Sequence, residues 1–149
     1  MATAGAQAVT TSSPTAIASE VSGFRHDVSG LLNSYYKTYG SRLNPSEKTQ
    51  MSGLIAQVDT ELAQLHRKSK NAATLAHSLA PASKQKLAAK NLAKSYDSAY
   101  SHALASLQQV EPILAPKLSL FEVLQAKADL DQSMQQFELL GTRIHQAAQ

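Results

Sequence analysis

Residues 44–65, NPSEKTQMSGLIAQVDTELAQL, hold a helix start and a helix face in consecutive positions. Asn44 is an N-cap residue, Pro45 suits the first helical position, and Glu47 three residues after the cap completes a capping box. From there Met51, Leu54, Ile55, Val58, Leu62 and Leu65 recur at steps of three and four, the period of a helix with one apolar stripe. The stripe resumes with Ala72, Leu75, Ala76 and Leu79. One helix from Pro45 to about Leu79 is therefore expected, roughly 50 Å long at about 1.5 Å per residue. The apolar signal thins near Ser69 to Asn71, where a break is the alternative.

The same reading extends in both directions. Upstream, Ile17, Val21, Phe24, Val28, Leu31 and Tyr35 form a stripe that starts near Pro14 or Thr15, with Gly40 placed to close the helix in a left-handed conformation. Gly23 and Gly30 inside this run mark either close helix contact or a soft helix. Downstream, Pro81 ends the second helix. Ser83 is the expected cap of a third, whose stripe is Leu87, Asn91 or Leu92, Tyr96, Ala99, Ala103, Leu107 and Val110. Pro112 and Pro116 frame the next corner. Ser119 and Glu122 write a second capping box, followed by Val123, Leu124, Leu130, Met134, Phe137, Gly141 and Ile144.

Short connections between long helices fold them back antiparallel. The expected fold is all-α: an elongated up-and-down bundle of three long helices with a shorter N-terminal one, over residues 15–149, preceded by a flexible tail over residues 1–14. The rival is a coiled-coil-like hairpin that completes its core against another chain. At 149 residues the chain is the size of one domain, and much of its 43% hydrophobic content comes from 24 alanines, each burying little apolar area. A partner that completes the core, or a second copy, fits that composition.

Chemistry finds little to work with. The absence of cysteine removes disulfides and thiolate sites and suits a reducing compartment, so a cytoplasmic location is expected. No run of apolar residues is long enough for a membrane span, and the opening residues lack the basic start and leucine-rich core of a secretory signal. His26, His66, His77, His102 and His145 show no helical pair spacing for a metal, and no Glu-x-x-His occurs. Nucleophile elbows and glycine-rich phosphate loops are missing as well. The expectation is a non-enzymatic protein with no cofactor, acting in protein–protein interaction as an adaptor or scaffold subunit.

Two sets of residues are candidate contacts. Residues 66–94 carry seven Lys or Arg and no Asp or Glu, leaving seven basic and eleven acidic residues elsewhere. Lys86, Lys90 and Lys94 form a column on the third helix, and a turn at Pro81 would bring Arg67, Lys68 and Lys70 beside it. Such a field draws an anionic partner: an acidic protein first, with acidic lipid or nucleic acid as the alternative use of Arg67 to Lys94. A peripheral membrane contact needs bulky apolar residues beside the lysines, and here the leucines are wanted by the bundle. Nucleic acid would need stacking aromatics, which adjoin only one end. The second set, Tyr36, Tyr39 and Tyr100, falls beside the stripes and combines apolar area with a polar tip, as interface anchors do.

Overall fold

The computed structural model describes residues 13–149. The tail expected over residues 1–14 falls, but for its last two positions, outside them. Helices α1 (Pro14–Tyr39), α2 (Pro45–Ala76), α3 (Ala82–Leu114) and α4 (Leu120–Ala147) follow one another with short connections. Single 3₁₀ turns, Gly40–Arg42 and Ala115–Lys117, make the two corners at one end. The result is an elongated antiparallel four-helix bundle in which α2 and α3 are the longest members, about 50 Å each. Around the bundle α1 packs on α2, α2 on α3, and α4 on both α3 and α1.

Both capping boxes form: Asn44 accepts from the Glu47 amide at 2.8 Å and Ser119 from the Glu122 amide at 3.2 Å. Their glutamates reach back to the cap amides. Ser13 caps α1 by accepting from the Ala16 amide. Helix α3 differs from expectation. It starts at Ala82 with Pro81 at the cap position, not behind Ser83.

Other boundaries also move, for identifiable reasons. Helix α2 passes unbroken through Ser69, whose hydroxyl donates to the His66 carbonyl at 2.7 Å and so needs no other partner in the α2–α3 seam. It stops at Ala76, leaving Leu79 in the turn. Pro112 lies inside α3 rather than at a corner, exposed to solvent in the last turn of the helix. Gly40 takes a right-handed conformation, φ −58°, and runs straight into the 3₁₀ turn. On α1 the phase buries Leu32 and leaves Leu31 half-covered.

The core is a single apolar column from Ile17 to Ile144, built by the expected stripe residues of α1 and α2 and by Leu92, Tyr96, Ala99, Ala103, Leu107 and Val110 of α3. Small residues on the α2–α3 seam, Ser69, Ala72, Ala93, Ala99, Ala103 and Ser106, let these two backbones approach closely. Helix α4 is held differently. Its buried residues are Phe137, Leu140, Gly141 and Ile144, all in its second half. Phe137 stacks on Phe24 with ring centroids 4.6 Å apart and meets Tyr96 edge-on at 5.1 Å. The Tyr96 hydroxyl donates to the Phe137 carbonyl at 2.6 Å, and its ring fills the space where a Gly141 side chain would be.

That contrast between glycines is measurable. A Cβ on Gly141 would collide with the Tyr96 ring, so Gly141→Ala should destabilise the bundle by about 1–3 kcal/mol. A Cβ on Gly23 or Gly30 meets nothing, which assigns both to a soft helix. Gly23→Ala and Gly30→Ala should each stabilise by up to about 1 kcal/mol. Urea unfolding of the three variants checks both directions.

Candidate interaction surfaces

The α2–α3 hairpin sets the geometry of the basic residues. Ser106 donates to Gln57 at 3.2 Å and His102 meets Glu61 at 3.1 Å, a register that brings Arg67 and Lys68 alongside Ser95 and Ser98 across a cleft of about 140 Å³. Lys94 precedes Ser95 directly, so Arg67, Lys68 and Lys94 gather at one level of the hairpin. Lys90 and Lys86 follow along α3 toward the turn, with Lys70 on α2. Lys84 belongs to the same surface. All seven side chains are exposed, and none makes an ion pair among the described residues.

Elsewhere the pattern is the reverse. Of the seven other cations, Arg25, Arg42, Lys117, Lys127 and Arg143 each face a carboxylate. Arg25 makes two bonds to Asp59, at 2.8 and 3.1 Å, and Ser29 donates a third at 3.0 Å. The unpaired charge is thus concentrated on one end of one hairpin, where its field adds. It reaches His66 beneath: burial first, then the charges of Lys70 and Arg25, hold its imidazole below the ordinary value.

The tyrosines do not form one set. Tyr36 is half-buried against the core. Tyr39 lies between the Tyr35 ring, at 6.3 Å, and the Arg42 guanidinium, at 5.1 Å. Tyr100 sits in the other half of the bundle, where it donates to Glu138 at 3.0 Å and its ring lies 5.2 Å from Phe137. Tyr100 is thus engaged by ring and hydroxyl in the α3–α4 seam, whereas Tyr36 and Tyr39 meet the chain through their rings.

A third surface lies on α4, out of phase with the stripe expected there. Leu120, Phe121, Leu124 and Leu139 of α4 are exposed, at 76%, 77%, 58% and 55%. Leu124, which by spacing belongs to the buried stripe beside Val123, is among them. Counting back from Ile144 and Phe137 in helical steps puts Leu130, Ala126 and Val123 inward, which turns Phe121 and Leu124 outward. The signal was there, but the polar run DLDQSMQQ obscured the phase. Beneath this half of α4, Tyr35, Val110, Leu114, Leu118, Val123, Ala126 and Leu130 surround an apolar gap of about 30 Å³, large enough for about one water.

The start of α4 is pinned by Glu122. Besides its capping role it takes a forked bond from Arg42, at 2.8 and 3.2 Å, and Arg42 also donates to the Lys117 carbonyl. Arg42 first, then the Ser119 amide, draw the Glu122 carboxyl down to about 2. No group of three or more His, Asp or Glu able to hold a metal ion occurs among the described residues. Nor is any described helix long and apolar enough to cross a membrane. No family model, no curated protein and no solved structure matches the chain.

A carboxyl with a lowered folded pKa stabilises the fold above its unfolded value and loses that contribution as pH falls. For Glu122 the window runs from the ordinary value of 4.5 down to about 2. Acidification through it should loosen the start of α4, read as faster amide exchange there. Glu122→Gln keeps a capping side chain without the charge. It should exchange faster at neutral pH and respond less to acid, and an unchanged acid response would assign the loosening to another group.

Proposed function

We propose that the chain is a non-catalytic interaction module, an adaptor-type subunit that offers α4 to a helix of a protein partner. The observation that carries this reading is the outward row of Leu120, Phe121 and Leu124, on the side of α4 opposite its buried face. Exposed large apolar residues grouped in this way are where partners bind. Helix α4 is also the least covered of the four: it buries four residues, against seven on α1, eight on α2 and nine on α3. A fifth helix laid along it would cover the row and press α4 onto the gap beneath, as amphipathic helices dock on apolar surfaces. The cysteine-free composition supports a place in the cytoplasm.

The test is comparative. The wild-type chain and Phe121→Asp/Leu124→Asp are expressed in their native cells, cross-linked, and purified with whatever each retains. An amphipathic-helix protein held stoichiometrically by the wild type and lost at least tenfold by the double variant is the expected result, with circular dichroism and melting unchanged. Equal retention by both proteins would contradict the reading. So would unfolding of the double variant, since the row would then be core.

A further inference from the structure

The turn end of the α2–α3 hairpin stands apart from the rest of the bundle. No residue from 73 to 91 is buried. Thr15, at the start of α1, reaches His77 with a 2.7 Å hydrogen bond, but α4 ends near Asp97, which His145 meets at 2.7 Å. The first turns of α3 therefore have no α4 beside them. Leu79 sits at the apex with its side chain entirely in solvent, and Leu87, one turn and more into α3, is 58% exposed.

This removes the objection raised by the sequence. Leucines in this region looked committed to the bundle, which left the lysines with no apolar companions. In the structure Leu79 and Leu87 are free of it. Around and behind them stand the seven unpaired cations, with no acidic residue between His66 and Lys94 to oppose them. The arrangement is layered: apolar groups at the apex, cations along the flanks, and behind them the rest of the chain with its seven basic and eleven acidic residues.

We propose that this hairpin end docks on an anionic lipid bilayer. Leu79 and Leu87 enter the headgroup layer, and Lys84, Lys86 and Lys90 lie against the lipid phosphates and carboxylates, with Lys70, Lys94, Lys68 and Arg67 adding to the field from further back. Depth order is what a bilayer asks for, since its apolar region lies beneath a charged surface and long lysine stems reach back to it. Six of the seven cations are lysines, point charges on flexible stems that suit a fluid surface better than a fixed carboxylate fork on a protein. Nucleic acid is served less well, because Tyr96 is buried and Tyr100 is engaged with Glu138, leaving no free ring to stack a base. The surface is separate from the α4 row, so either proposal stands or falls without the other.

The full chain is tested by sedimentation with vesicles of phosphatidylcholine, with and without phosphatidylserine. Binding is expected only with phosphatidylserine and should weaken as salt screens the charges. Each lysine near an anionic surface contributes about fivefold to partitioning, so Lys84→Gln/Lys86→Gln/Lys90→Gln should lose about a hundredfold. Leu79→Ser/Leu87→Ser should lose about tenfold or more, with an unaltered circular dichroism spectrum. The chain has no tryptophan, so a Leu79→Trp variant reports the apex alone, and its emission should shift to the blue on binding. Failure of the folded chain to bind, binding that survives the lysine changes, or unshifted emission from the bound variant would each overturn the proposal. Retention of soluble polyglutamate without retention by the vesicles would assign this end to an acidic protein and overturn it equally.

Discussion

Phe137 sets the height of α4 in the bundle. Its ring is held between Phe24 of α1 and Tyr96 and Tyr100 of α3, and its carbonyl accepts the buried Tyr96 hydroxyl. Burial of that phenol raises its pKa above the ordinary tyrosine value. Such packing is possible only because Gly141, one turn later, has no side chain to meet the Tyr96 ring. With Phe137 seated, α4 has ten residues left before it ends at Ala147. It therefore stops near Asp97, and the beginning of α3 runs on without it.

The other half of α4 follows from the same constraint. Toward Ser119 its inward residues are the smaller Val123 and Ala126, which leave an apolar gap rather than a filled seam. What holds this half is a thin apolar seam and the hydroxyl of buried Tyr35, which donates to the Ala126 carbonyl at 3.3 Å and to Asp129 at 3.2 Å, with polar contacts at the rim: the capping box, the Arg42–Glu122 fork and the Lys127–Glu111 pair at 3.9 Å. Exposed ion pairs contribute little each. One helix thus has a clamped end and a lightly held end, and the apolar row lies on the lightly held one. Helices α2 and α3, joined by a seam of alanines and serines, form the frame against which both ends are defined.

Much of this architecture could be read from the residues alone. The caps at Asn44 and Ser119 were legible because each is a local exchange of hydrogen bonds that depends on three neighbouring residues. The stripes from Ile17 to Tyr35 and from Met51 to Leu65 were legible because apolar spacing alone gives their phase, apart from the choice between Leu31 and Leu32. Misreadings arose where the answer depends on what lies across from a residue. Leu79 continues the α2 stripe in sequence, yet α2 ends at Ala76 and leaves it in the turn, while Leu87, one heptad before the exposed Lys94, falls on the outward face of α3 and not on the face of Leu92 and Tyr96. Pro112 looks like a corner, but a helix tolerates it when it is exposed to water in the last turn. The cationic column was visible in outline, whereas its lack of carboxylate partners needed the folded chain.

Native-state amide hydrogen exchange along α3 tests the central claim, that α4 ends short and leaves the hairpin end projecting. Amides of the buried stretch from Leu92 to Val110 should open only with the whole bundle. Those from Gln85 to Lys90 should open locally and exchange at least a hundredfold faster. Equal, slow exchange from Gln85 through Val110 would mean that the end is covered, and the account built on the height of Phe137 would be wrong.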